Sequence, residues 1–159
     1  MKIGVISDTH GDVHSAREAV RLFQRLEVEQ VLHCGDIGSA EIVGLFSDWP
    51  THFVYGNVDS PTYLRDAIRQ AGQICHDRFG SIELDGRKIA LLHGNDTGLL
   101  EKSAKSGKWH VICHGHTHTA CHSTVGKTLV LNPGAIARTI HPSVALVDLQ
   151  SLEVTPIRL

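Results

Sequence analysis

The chain has 159 residues, 42% hydrophobic and 20% charged, which is the composition of one globular domain and excludes a disordered chain. Fifteen Lys and Arg stand against seventeen Asp and Glu, a formal charge of -2, so duplex nucleic acid and anionic membrane surfaces are excluded as main partners. Apolar runs are strand-length, too short to span a bilayer, and the twelve histidines are the one unusual feature.

Residues 2–7 read as a buried strand ending at Ser7-Asp8, with no leader sequence before it. Asp12 is placed to cap a helix over 13–27, whose Ala16, Ala19, Val20, Phe23 and Leu26 repeat at helical spacing. A second strand, 30–35, breaks at Gly35-Asp36. Ser39 then caps a short helix with Ile42, Val43, Leu45 and Phe46. A third strand, 52–55, stops at Gly56-Asn57. Ser60-Pro61 starts a helix through Ala71, with Gly72 at its C-terminal end. Strands 81–84 and 87–93 flank the hairpin signal Asp85-Gly86. A helix over 97–106, a strand over 109–113, and the pairs 121–125/128–132 and 143–149/152–158 complete the chain. The sequence therefore predicts a single domain, 1–159, of α/β class: two packed sheets with helices outside.

Polar residues gather where strands end. Asp8 and His10 follow the first strand, Asp36 the second, Asn57 and Asp59 the third, His93 the strand 87–92, and His116 and His118 the strand 109–113. Ligand sites of open α/β sheets lie beyond the carboxyl ends of their strands. Two Asp, one Asn and four His are too many ligands for one transition metal and enough for two when one carboxylate bridges. Mixed imidazole and carboxylate donors suit Mn, Ni, Fe, Co or Zn better than Mg or Ca, and manganese is the favoured cofactor. Two divalent ions, two carboxylates and a bridging hydroxide leave one positive charge, which attracts a monoanionic phosphodiester.

Asp8-Thr9-His10-Gly11, Gly35-Asp36, Gly56-Asn57, His93-Gly94, Gly115-His116-Thr117-His118 and Asn132-Pro133-Gly134, in this order, resemble the calcineurin-like metallophosphoesterase superfamily, and its small YfcE-like phosphodiesterase branch in particular. The resemblance implies a four-layer α/β/β/α sandwich of two mixed sheets. It implies that Asp8, His10, Asp36 and His118 hold one metal and Asn57, His93 and His116 the other, with Asp36 bridging. It further implies hydrolysis of a small phosphodiester by a dimetal-bridged hydroxide. Asp36, Asn57 and Asp59 are then the candidate catalytic residues, Asp59 as an orienter behind the ligands.

The chain departs from the family pattern at three positions. Val58 stands where many relatives carry a histidine that assists the leaving group. Asn95 replaces a histidine after His93-Gly94, and Ala135 replaces a serine after Asn132-Pro133-Gly134.

The weaker readings are these. Cys113, His116, His118 and Cys121 make a poor zinc site, because their spacing is irregular and Cys113 lies in an apolar strand. His33 and His114 read as packed or hydrogen-bonding residues. His14 and His122 read as exposed or supporting, and His52, His76, His110 and His141 as surface. Trp49, Phe53, Tyr55 and Tyr63 belong to the core or to the interface of a homo-oligomer. The four cysteines without paired spacing suggest a reduced, cytoplasmic protein. The alternative function is a non-catalytic interaction scaffold resembling the retromer subunit of this fold. A nuclease is disfavoured by the lack of a basic surface.

Overall fold

The computed structural model describes residues 1–159. Its strands are β1 (Lys2–Ile6), β2 (Gln30–His33), β3 (Thr51–Phe53), β4 (Ile74–Cys75), β5 (Phe79–Leu84), β6 (Arg87–Leu92), β7 (Val111–Cys113), β8 (Cys121–Val125), β9 (Thr128–Asn132), β10 (Ser143–Asp148) and β11 (Glu153–Arg158). Its helices are α1 (Val13–Arg25), α2 (Ala40–Leu45), α3 (Pro61–Gln70) and α4 (Thr97–Lys105). None of these helices is long and apolar enough to cross a membrane.

The strands form two mixed sheets, ordered β11-β10-β1-β2-β3-β4 and β5-β6-β7-β9-β8. Strands β1 to β4 run parallel, as do β6, β7 and β9. The remaining strands pair antiparallel at the borders.

Alternation along β1 shows how the layers arise. Ile3 and Val5 enter the core between the sheets, with Leu32, Val54, Ile89, Leu91, Val111 and Leu131. Ile6 faces the other way, into a core shared with Ala16, Ala19 and Phe23 of α1, Ile42 and Val43 of α2, and Leu64 and Ile68 of α3. Gly4 makes room for α1, since a Cβ there would stand 2.8 Å from the Phe23 ring. On the far face of the second sheet, Ala90, Leu92 and Ile112 pack against Ala104 of α4. The result is the α/β/β/α sandwich of the sequence reading.

The caps at Asp12 and Ser39 form as expected: Asp12 accepts the Ser15 amide at 3.1 Å, and Ser39 accepts that of Ile42 at 3.4 Å. Asp96 caps α4 in the same way, accepting the Leu99 amide at 2.9 Å.

The surface placement expected for His52 and His76 needs correction. The two-residue strand β4 pairs with β3 and covers its outer side. His52 is therefore buried, with its Nδ1 2.8 Å from His76 Nε2 and the two rings stacked, so neither is a free surface histidine. Burial, with the neighbouring His76, lowers the His52 pKa to about 4. Trp49, Phe53 and Tyr55 belong to the helix-side core, whereas Tyr63 is 58% exposed.

Candidate metal centre

The strand ends are stitched into one surface by main-chain bonds beyond the ladders. Asp8 N donates to Gly35 O at 3.0 Å, His10 N to Asp36 O at 2.8 Å, and Gly115 N to His93 O at 2.8 Å. Asp8 then crosses between the sheets, its Oδ2 accepting the Ser7 hydroxyl at 2.6 Å and the His116 amide at 3.1 Å. Gly115 permits this crossing, because a Cβ there would lie 1.9 Å from Ser7 Oγ. Gly56 plays the same part beside Asp36, where a Cβ would lie 1.8 Å from Oδ1 and 2.4 Å from the main-chain nitrogen.

All seven predicted ligand residues line this surface, and they fall into two groups. His10 and His118 face each other with ring centroids 5.5 Å apart, and Asp8 Oδ1 lies 3.9 Å from His10 Nε2 and 3.1 Å from His118 Nε2. His93 and His116 make the second pair at 5.1 Å, with Asn57 Oδ1 3.1 Å from His93 Nε2. Asp36 stands between the groups: its Oδ2 is 3.6 Å from His10 Nε2 and 3.4 Å from His93 Nε2. Asp8, His10 and His118, and likewise Asp8, Asp36 and His93, bring donor atoms within 4.8 Å of one another.

The donors fit a cation. Asp8 Oδ1 and His10 Nε2 are buried and have no hydrogen-bond partner, although other ligand atoms crowd them. Leaving such groups unpaired costs about 1–3 kcal/mol each in a folded protein. The backbone shows the same bias. Asp8, His10, Asp36, His116 and His118 all adopt left-handed φ values, from 45° to 73°, which non-glycine residues rarely do.

His93 Nδ1 donates to Cys34 O at 2.9 Å, which leaves Nε2 as the nitrogen free to accept a cation. Burial lowers the His93 pKa, but the hydrogen bonds to Asp36 and to the Cys34 carbonyl outweigh it, so the net shift is upward. Burial acts against the Asp36 carboxylate. His93, the Val58 amide and His10 overcome it and leave that pKa below its ordinary value. For His10 burial dominates, Arg138 adds to it, and the imidazole is held toward its neutral form.

Asp59 sits behind the ligands. Its carboxylate accepts the amides of Ile37 at 3.1 Å, Gly38 at 3.0 Å and Gly56 at 2.9 Å, so it fixes the two loops that carry Asp36 and Asn57. His33 is buried against Phe53 and Phe46. It accepts the Gly35 amide on Nδ1 at 3.2 Å, so Nε2 carries the hydrogen that reaches Thr9 Oγ1 at 3.0 Å. His114 is buried too, 3.2 Å from the Gly115 carbonyl through Nδ1. His14 and His122 are exposed. Val58, 55% exposed, leaves an apolar side chain at the rim and donates its amide to Asp36 Oδ1 at 3.2 Å. Cys113 is buried and Cys121 exposed, on different strands, and neither joins the donor clusters that contain His118 or His93. Sequence reasoning missed Ser7 and Arg138. The hydroxyl directly before Asp8 was a signal for the first; Arg138 stands outside every motif.

Residues 1–152 match the calcineurin-like phosphoesterase superfamily domain. A phosphodiesterase of Methanocaldococcus jannaschii is 34% identical over 162 residues, spanning 96% of each chain. The solved structure of an archaeal phosphodiesterase, 34% identical, superposes with a TM-score of 0.93 and covers 100% of both chains. The phosphoesterase YfcE of E. coli shares the fold, with a TM-score of 0.72 at 17% identity, covering 99% of this chain and 98% of its own. The chain belongs to the calcineurin-like phosphoesterase superfamily.

Proposed function

We propose that this superfamily member is a phosphodiesterase acting on small diesters with two divalent metals. The observation that carries this reading is the pair of buried, partnerless donors Asp8 Oδ1 and His10 Nε2 inside a ring of further ligands. The archaeal relative named as a phosphodiesterase supports it.

In this reading Asp8, His10, Asp36 and His118 hold one cation. Asn57, His93 and His116 hold the other, and Asp36 is shared, consistent with its place between His10 and His93. The donors are imidazole, carboxylate and amide with no thiolate, a set suited to manganese, nickel, iron, cobalt or zinc. Bound there, two such cations supply Lewis acidity for the phosphoryl oxygens and lower the pKa of a water to be used as nucleophile.

The chain's own residues do the rest. Asp36 positions both halves of the site. Asn57 adds a donor without adding charge. Asp59 keeps the two loops in register. Val58 has no proton to give, so the leaving oxygen departs without an acid at that position. We also take residues 1–159 as a single domain. Its four unpaired thiols suit a reducing, cytoplasmic setting.

The competing reading, an interaction scaffold of the same fold, has no use for a complete ligand set. The test removes metal by chelation, restores manganese or nickel, and follows bis-p-nitrophenyl phosphate. Turnover returning with occupancy supports the proposal. A fully loaded protein without turnover overturns it in favour of the scaffold.

A further inference from the structure

A groove of about 480 Å³ opens beside His118. Its walls include Thr119, Thr139, His141, Ser143 and Arg158, and no carboxylate side chain lines it. Its position relative to the metal centre is fixed. The loop that bears Thr139 and His141 is tied to the end of β1, with Ile136 N donating to Ser7 O at 3.2 Å and Ala137 N to Asp8 O at 3.0 Å. Ser143 closes the loop through Pro133 O at 2.8 Å.

Ser143 and Thr119 spend their hydroxyl hydrogens on the Pro133 and Thr117 carbonyls, and the donors left free in the groove are those of Thr139, His141 and Arg158. Thr139 Oγ1 accepts the His141 amide at 3.1 Å, so its own hydrogen is free to point elsewhere. The arginine ion pairs of the chain involve Arg17, Arg65 and Arg69, and Arg87 binds two carbonyls. Arg158 on the wall and Arg138 at the metal end therefore have no carboxylate. Arg158 also borders a second hollow of about 340 Å³ with Arg21 and Arg25, where three guanidinium groups stand against Glu18 and the Leu159 carboxylate and leave the local charge positive.

His118 belongs both to the Asp8–His10 cluster and to the wall of this groove, so the two are contiguous. We infer that the groove is a subsite for a second phosphate, so that the preferred substrates are diesters bearing an additional phosphate monoester. Guanidinium, imidazole and hydroxyl donors together match that group. This inference rests on the phosphodiesterase reading above.

The test uses the manganese-loaded protein and the p-nitrophenyl ester of thymidine 5′-phosphate, with and without a 3′-phosphate. In parallel, calorimetry compares thymidine 3′,5′-bisphosphate with thymidine 5′-phosphate. The 3′-phosphate is expected to raise kcat/KM and affinity about tenfold, as one or two charge-assisted hydrogen bonds allow. In Arg158→Gln and His141→Gln that ratio falls toward one. The ratio is internal to each variant and does not depend on how much of it is folded. No advantage in the native protein, or an advantage that survives both substitutions, overturns the inference. Preferential binding of the bisphosphate by a loaded protein that cleaves neither ester upholds the groove and refutes the phosphodiesterase reading instead.

Discussion

Replacing Asp59 by asparagine isolates the support behind the ligands from the ligands themselves. In the native protein Oδ2 accepts from Ile37 and Gly56 and Oδ1 from Gly38, and the carboxylate is buried. An amide keeps an oxygen on one side only. With that oxygen at the Oδ2 position, two bonds survive without their charge, at a loss of about 1 kcal/mol each, and the Gly38 amide faces another donor for about 1 kcal/mol more. The sum is about 3 kcal/mol, which for a chain of this size lowers the melting temperature by roughly 6–12 °C. Loosening the Asp36 and Asn57 loops should cut kcat by about 10–100-fold, the usual effect of losing a residue that orients ligands. Metal occupancy at saturating manganese should stay complete. The assays are thermal melting, elemental analysis and bis-p-nitrophenyl phosphate turnover on the same sample. A melting temperature and kcat equal to native values refute the reasoning. Lost occupancy at saturation makes Asp59 a ligand.

Further outcomes follow from other contacts. Gly56→Ala forces the Asp36 carboxylate aside, because its Cβ falls 1.8 Å from Oδ1. It should destabilise the protein by about 1–3 kcal/mol and lower metal affinity, as titration calorimetry with manganese would show. His33 is held neutral, its pKa pushed down to about 3 by burial and by its neighbour His93. The unfolded chain takes up that proton below its ordinary pKa of about 6.5, so this share of stability is intact above that pH and is lost on acidification, about 2 kcal/mol by pH 5. Urea midpoints of metal-free native protein and His33→Gln at pH 7.5 and 5.0 should differ by that slope; parallel pH dependences would contradict it. With Val58 in place of an acid, aryl diesters should be cleaved much faster than alkyl diesters of the same shape, and equal rates in a stopped colorimetric assay would reveal another proton donor.

The seven residues that meet at the strand ends were legible because each sits in a short motif there, where a glycine break marks the turn. Asp8-Thr9-His10 and Gly115-His116-Thr117-His118 needed no knowledge of tertiary structure to be found. The two-residue β4 was not legible, since Ile74–Cys75 is too short to show a period, and with it went the burial of His52. The strand drawn over 109–113 begins at Val111 instead. Just before it, His110 Nδ1 accepts the Lys88 amide at 2.9 Å in place of a ladder carbonyl. The groove joins His118 to Arg158 across forty residues of chain, and no local pattern encodes such a meeting. His33 was expected to pack or hydrogen-bond, and it does both.

Five of the proposed ligand positions hold their main chain in the left-handed basin, where glycine sits without steric penalty and an imidazole or carboxylate does not. Folding robustness and ion capture thus pull in opposite directions at the same sites. A descendant released from its catalytic duty has an immediate thermodynamic incentive to shed those side chains, glycine first among the replacements. The erosion of such a centre in a lineage would begin with the residues that define it and leave the sandwich beneath them untouched.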